Sequence, residues 1–192
     1  MREKRMGRGL LLVVSGPSGV GKGTVLGKLM EENENIFYSV SATTRTPREG
    51  ETEGVNYFFI TKEQFERLIV EDKMLEYARY CDNYYGTPLA AVEQMREEGK
   101  DVLLEIEAQG ALQVMNKCPD AVSIFVAPPS MDELRRRLTE RNTESAEVVE
   151  SRLRKAEEEM ALAHHYQYNV VNDTVENAKD KISKIIFKHK SI

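Results

Sequence analysis

The chain has 192 residues, 41% of them hydrophobic and 31% charged, with 27 Lys+Arg against 32 Asp+Glu and a net charge of −5. That composition is too apolar for disorder and too charged for a membrane protein, and the length suits one domain with a full core. The acidic balance disfavours a general nucleic-acid or anionic-membrane binder, so any anionic ligand must meet a local cluster of positive charge.

Met1–Arg8 is basic, and the apolar run Leu10–Val14 is too short for a signal sequence or a spanning helix, which points to the cytoplasm. Cys81 and Cys118 fit no metal spacing and no disulfide framework, in keeping with a reducing compartment. Leu10–Ser15 reads as a buried parallel strand, followed by a helix from about Lys22 to Glu32. Residues 37–85 have another texture, rich in Thr, Tyr, Gly and Arg. There, Tyr57–Ile60 and Leu75–Tyr80 read as strands of a small mixed or antiparallel sheet, with a helix capped by Thr61 and Gln64 between them.

The pattern then returns to alternation. Leu89–Glu98 is a predicted helix with Thr87 as N-cap, Pro88 in the first turn and Gly99 as its stop. Asp101–Ile106, Ala121–Ala127 and Tyr168–Val171 read as further buried strands. Ser130 and Glu133 form a capping-box signature opening a helix to about Arg141. Residues 135–155 read as two charged helical arms joined by a polar tip, shaped like a lid. Thr174–Lys188 closes the chain as an amphipathic helix. The expected class is α/β, a parallel sheet carrying two inserted parts.

After the first strand comes Gly16-Pro17-Ser18-Gly19-Val20-Gly21-Lys22-Gly23-Thr24, with the Walker A spacing of Gly16, Gly21 and Lys22. Composition alone yields such a spacing in about one chain in twenty of this length. Its place after an apolar strand and at a helix start makes chance a poor account. Glycines let backbone N–H groups turn inward around a phosphate, and the helix N-terminus adds partial positive charge. Lys22 then reaches between β- and γ-phosphates, reading otherwise as a solvent-facing charge with no core role. The residue after the loop lysine is usually Ser or Thr, which holds Mg²⁺; here it is Gly23. The metal is then expected to bind through Thr24, through water, and mainly through the nucleotide phosphates.

A second anion site is expected at Ser41–Glu51, where Arg45 and Arg48 stand three apart in a loop broken by Pro47. The hydroxyls of Tyr57 and Tyr85 add neutral donors. Taken alone, this loop reads equally well as a solvated basic stretch beside core tyrosines. Arg137 and Arg141 lie four apart on one helix face, ready to meet a transferring phosphoryl group when a lid closes. Without a phosphate loop, a solvated Arg/Glu helix would be the plainer reading.

With Ser41–Glu51, Gly54-Val55-Asn56-Tyr57, Glu76-Tyr77, Asn83-Tyr84-Tyr85-Gly86-Thr87, Leu104-Glu105-Ile106-Glu107 and Val170-Val171-Asn172-Asp173, the chain resembles guanylate kinases, most of all bacterial ones. The resemblance runs from Gly9 to about Phe187. It implies a P-loop nucleoside monophosphate kinase fold in a single domain. Its parts would be a parallel-sheet core (1–36, 88–134, 156–192), a GMP-binding α+β insertion (37–87) and a helical lid (135–155). It implies reversible transfer of the γ-phosphate of ATP to GMP, and to dGMP, with Mg²⁺ accompanying ATP and neither nucleic acid nor membrane as partner. In such a chain Ser41, Glu76 and Thr87 contact guanine, and Arg45, Arg48, Tyr57 and Tyr85 hold the GMP phosphate. Glu51 supports the arginine loop, and Glu107 lies on the GMP side. Lys22, Arg137, Arg141 and Arg152 handle the ATP phosphates and the transferring group, and Asn172 lies near adenine. Glu105 and Glu107 stand where many members have Asp, and Thr87 where others have Ser.

The chemistry of the base agrees with that implication. Guanine presents donors at N1 and N2 and an acceptor at O6. A carboxylate such as Glu76 accepts from both donors, while a Ser or Thr hydroxyl donates to O6. Adenine would leave the carboxylate poorly paired, which is expensive in a buried site. Other readings carry less. Asn116-Lys117-Cys118-Pro119 begins like a GTPase guanine motif, but Pro119 occupies the position of the required Asp. His164 and His165 are adjacent on a presumed helix end, where neighbours diverge too far to share a metal. A kinase for another monophosphate, or a non-catalytic interaction module of guanylate-kinase type, remain as alternatives; the intact phosphate loop counts against the latter.

Overall fold

The computed structural model describes residues 7–80, 82–140 and 145–191; Cys81 and Arg141 lie outside them. In chain order the elements are β1 (Leu11–Ser15), α1 (Lys22–Glu31), β2 (Ile36–Tyr38), β3 (Ala42–Thr43), β4 (Phe58–Phe59), α2 (Lys62–Val70), β5 (Met74–Tyr80) and β6 (Asn83–Pro88). They continue with α3 (Leu89–Glu97), β7 (Asp101–Glu105), α4 (Ala108–Lys117), β8 (Val122–Ala127), α5 (Met131–Glu140) and α6 (Ala146–Ala161). A 3-10 turn (Ala163–His165), β9 (Tyr168–Val171) and α7 (Val175–Lys190) complete the chain.

Two sheets form. One has five strands in the order β2-β7-β1-β8-β9, and the other four in the order β4-β3-β6-β5. In the first, β2 runs parallel to β7 and β8 parallel to β9. The bonds from the Val102 and Ile106 N–H groups to the Leu10 and Val14 carbonyls advance in step, so β1 and β7 are parallel too. β1 and β8 are buried along their whole length, which is why they read as largely apolar runs, broken only by the buried Ser15 and Ser123. The second sheet is mixed. β3 pairs parallel with β4, while β6 pairs antiparallel with β3 and β5.

By contacts the chain divides into two compact units. One comprises Asn35–Leu104, Gln109–Ala121 and the chain up to Val13; the other comprises Val14–Glu34, Glu105–Ala108 and the chain from Val122 on. In the first, Ala42, Phe65 and Met74 form a core flanked by Ile60, Leu68, Ile69 and Tyr84, with Phe65 stacked on Tyr84 at 5.2 Å between centroids. In the second, Leu134 and Leu138 of α5 pack on Val149, Leu153 and Ala156 of α6, so the two predicted arms form a helical pair. Among the described residues, no helix is long and apolar enough to cross a membrane.

Three local expectations change. Thr87 does not cap α3: it is a strand residue of β6, Pro88 takes the N-cap place without a side-chain bond, and the Thr87 hydroxyl donates to Glu76 instead. Ser130 does accept the Glu133 N–H at 3.1 Å, but the Glu133 carboxylate turns to Arg136 and Arg137. Tyr168–Val171 is a strand as read but not a buried one: β9 lies at the sheet edge, and only Val170 is buried. The exposed His164 and His165 form a 3-10 turn after α6 with ring centroids 4.0 Å apart, and His164 Nδ1 meets the Ala161 carbonyl. The cap of α2 is as read: Thr61 accepts the Gln64 N–H at 3.2 Å, and Gln64 accepts the Thr61 N–H at 2.8 Å. Thr61→Ala is expected to lower unfolding free energy by about 1 kcal/mol in urea titration, with little change in activity.

Candidate functional site

The phosphate loop lies in the unit that contains α1, α5, α6 and β8. It leaves the end of β1 at Gly16, where a Cβ would fall against the Val126 carbonyl of β8; only glycine lets the backbone pass there. Gly21 has φ +94° and caps α1. The first helical bond runs from the Val25 N–H to the Gly21 carbonyl, so the N–H groups of Lys22, Gly23 and Thr24 precede the helical ladder. This is an anion-binding helix start.

Lys22 is not the solvent-facing charge that the sequence suggests. Its Nζ folds back to donate to the carbonyls of Gly16 and Pro17, the latter at 3.2 Å. Burial pushes its pKa down, while the carboxylates of Glu105, Glu159 and Glu107 oppose the shift. An ammonium half-stripped of water beside an anion cradle binds phosphate strongly, because little further desolvation is required.

Arg137 donates through Nη1 to the Val20 carbonyl, through Nη2 to the Asn172 carbonyl, each at 3.1 Å, and through Nε to Glu133 at 2.8 Å. The guanidinium groups of Arg136 and Arg137 hold the Glu133 carboxyl down at about 2. Arg152 of α6 donates to the Ser18 hydroxyl at 2.6 Å. Asn172 is buried, and its amide donates to the Val20 carbonyl at 2.8 Å, so it clamps the loop. A cavity of about 400 Å³ opens beside it, lined by Gly19, Gly21, Thr24, Arg137, Asn172 and Thr174 among others.

Two further charges reach this neighbourhood that motif reading missed. Lys155 donates to both oxygens of Glu107 at 3.2 Å. Glu159 lies beyond it on α6; burial pushes its carboxyl up, and its Oε2 is buried without a hydrogen-bond partner among the described residues. Their spacing from Arg152, three and seven residues on, was the available signal.

The other unit carries the arginine loop and the carboxylate. Glu51 braces the loop by taking Arg45 Nη2 at 2.8 Å and the Arg48 N–H at 2.7 Å. That pairing holds the Glu51 carboxyl below its ordinary value and raises the Arg45 guanidinium, which the Tyr85 hydroxyl also faces. Arg45 further donates to the Thr46 carbonyl at 2.8 Å, and its guanidinium lies 5.7 Å from the Tyr57 ring centre. Tyr57 meets Tyr85 edge-on, centroids 6.0 Å apart. Ser41 directly precedes β3, and its carbonyl accepts the Phe58 N–H at 2.9 Å.

Glu76 is only 4% exposed, with Thr87 Oγ1 donating to its Oε1 at 2.7 Å. Strict alternation would face it away from both neighbours. The exposed Tyr77 beside it fits that alternation, while a register shift interrupts the pairing between Met74 and Glu76; Met74, Leu75 and Glu76 are all buried, with Glu76 opposite Thr87. The structure thus gathers Ser41, Arg45, Arg48, Glu51, Tyr57, Glu76, Tyr85 and Thr87 in one unit, and Gly16–Thr24, Arg137, Arg152 and Asn172 in the other. Glu107 falls with the latter, on Lys155.

A family model described as guanylate kinase matches residues 8–189. The chain is 58% identical over 186 residues to a guanylate kinase of Lactococcus lactis subsp. lactis, covering 97% of this chain and 89% of that one. It is 53% identical to a guanylate kinase of Bacillus subtilis, covering 93% and 88%. A crystal structure of guanylate kinase from Anaplasma phagocytophilum superposes with a TM-score of 0.76 at 38% identity, covering 95% and 86% of the respective chains.

Proposed function

The chain belongs to the guanylate kinase family, and from that premise we propose how its residues divide the work. It transfers the γ-phosphate of ATP reversibly to GMP, giving ADP and GDP. A phosphate oxygen of GMP attacks the γ-phosphorus, the bond to the β-phosphate oxygen breaks, and no covalent group forms on the protein. Catalysis is then positioning plus charge neutralisation.

On this reading the loop Gly16–Thr24 cradles the ATP phosphates and Lys22 meets the β- and γ-phosphates. Arg137, Arg141 and Arg152 take up the charge of the transferring group. Arg137 leaves its neutral carbonyl partners for the charged phosphate oxygens, which suit the planar guanidinium fork in bidentate pairing. Adenine occupies the cavity beside Asn172. Arg45, Arg48, Tyr57 and Tyr85 hold the GMP phosphate, braced by Glu51, while Glu76, Ser41 and Thr87 read guanine and Glu107 supports the GMP side. One observation carries this reading: a glycine-loop cradle and a separate braced arginine loop beside a buried carboxylate occur in the same chain.

For Mg²⁺ the protein offers the Thr24 hydroxyl at the cavity wall, with Glu105 and Glu107 within electrostatic reach of Lys22. No group of three or more His, Cys, Asp or Glu gathers among the described residues to hold a metal. That sparse, all-oxygen set fits an ion carried mainly by phosphates and water. When bound, Mg²⁺ neutralises charge on the β- and γ-phosphates.

We also read the chain as one domain with core (1–36, 88–134, 156–192), insertion (37–87) and lid (135–155). The second sheet within Ala42–Pro88 and the packed α5–α6 pair support that plan. A cytoplasmic setting suits the two substrates, and dGMP is expected to serve as an acceptor too. The direct test is ADP release from ATP with GMP, AMP, UMP and dTMP side by side; equal use of AMP would overturn the guanine assignment. Arg45→Ala is expected to lower kcat/KM for GMP about ten-fold, with Arg48 still in place, while KM for ATP stays unchanged. A loss confined to ATP would mean the two phosphate sites are assigned the wrong way round.

A further inference from the structure

One face of α4 meets β5 at three successive points. Gly110, Gln113 and Lys117 are spaced i, i+3 and i+7, so they share that face. Lys117 Nζ donates to the Met74 carbonyl at 3.2 Å. Gln113 takes both main-chain groups of Tyr77: its Oε1 accepts the Tyr77 N–H at 3.2 Å, and its Nε2 donates to the Tyr77 carbonyl at 2.8 Å. Between those anchors lies Glu76, whose Oε2 occupies the space a Cβ on Gly110 would fill. Its Cδ and Cγ follow at 3.0 and 3.5 Å from that position.

Gly110 is buried within a regular helix and needs no left-handed backbone. Glycine is a poorer helix former than alanine, by up to about 1 kcal/mol in a helix interior and less in a first turn such as this. What it provides is room: the carboxylate lies directly over the helix backbone, with Thr87 holding its other oxygen at 2.7 Å. The Gln113 clamp then fixes the strand at the next residue, so the main chain that bears Glu76 has little freedom to shift.

We propose that Gly110 and Gln113 are positioning residues for base selection: Gly110 leaves the space in which the Glu76 carboxylate sits, and Gln113 pins the strand beside it. Both act through Glu76, so the proposal rests on Glu76 being the guanine-reading carboxylate. A methyl group on residue 110 pushes the carboxylate off its place without touching the phosphate loop or the arginine loop. Discrimination between guanine and adenine then falls while ATP binding holds.

The test uses the full chain and compares wild type with Gly110→Ala, Gln113→Ala, Glu76→Ala and the Gly110→Ala/Glu76→Ala double variant. For each, kcat and KM are measured with GMP and AMP, KM with ATP, and the melting temperature. Gly110→Ala is expected to lower kcat/KM for GMP about ten-fold, chiefly through KM, in a protein that still melts cooperatively. The GMP/AMP preference narrows, and KM for ATP is unchanged. Gln113→Ala is expected to act in the same direction, about three-fold. In the Glu76→Ala background, adding Gly110→Ala changes GMP use no further, since no carboxylate remains to displace. Wild-type base preference in Gly110→Ala, or an equal loss in both backgrounds, overturns the proposal and leaves the role of Glu76 standing. Wild-type preference in Glu76→Ala overturns the reading of Glu76 itself and the proposal with it.

Discussion

Replacing Lys22 with alanine is expected to lower kcat by at least about a hundred-fold, with KM for GMP nearly unchanged. The reasoning starts from the ammonium's surroundings. It is folded onto the Gly16 and Pro17 carbonyls, and burial has already removed part of its water. Binding phosphate there exchanges two contacts to neutral carbonyls for contacts in which both donor and acceptor carry charge. The gain is greatest when negative charge shifts toward the leaving β-phosphate, so the loss appears in turnover. The side chain belongs to no hydrophobic core, so the fold is expected to survive its removal; circular dichroism and the melting temperature check that. Wild-type turnover in Lys22→Ala would remove the loop from the mechanism.

Glu76→Gln is expected to lower kcat/KM for GMP on the order of a hundred-fold and to narrow the GMP/AMP ratio. Two losses combine. A charge-assisted pair contributes about 1.5–3 kcal/mol, and a buried group left mispaired costs about 1–3 kcal/mol. Glutamine keeps the volume but turns an amide N–H₂ toward guanine's own donors or toward Thr87, which already donates to this side chain. Its site is 4% exposed, so water cannot relieve the clash. Adenine, with an acceptor at N1, loses less or gains. Steady-state kinetics with both monophosphates read the ratio directly, and an unchanged preference for GMP would show that guanine is recognised elsewhere.

The glycine loop and the arginine loop were legible because each is a short-range device. Gly16 to Thr24 is nine consecutive residues between a strand and a helix, and the turn chemistry belongs to those residues. Arg45 and Glu51 lie six apart, close enough for the chain itself to bring them together. The α2 cap is shorter still, at three residues. The buried parallel strands β1, β7 and β8 were equally plain, since a strand covered on both faces shows little polar alternation, whereas β9, read as buried too, lies at the sheet edge with only Val170 buried.

What sequence alone determined, then, is the set of local motifs, the α/β class and, through them, the chemistry of phosphate and base. The tertiary structure decided which side chains complete those motifs. Thr87 looked like a helix cap because Ser, Thr and Pro before a helix usually mean one. A strand pairing placed it opposite Glu76 instead, eleven residues away in the chain. Arg137 bonds to Val20 across 117 residues, Arg152 to Ser18 across 134, and Gln113 to Tyr77 across 36. A glycine, a glutamine and a lysine on a helix face carry no signal of their own. They acquire meaning only when packing lays that face against β5, because the space at Gly110 exists only relative to the carboxylate that fills it.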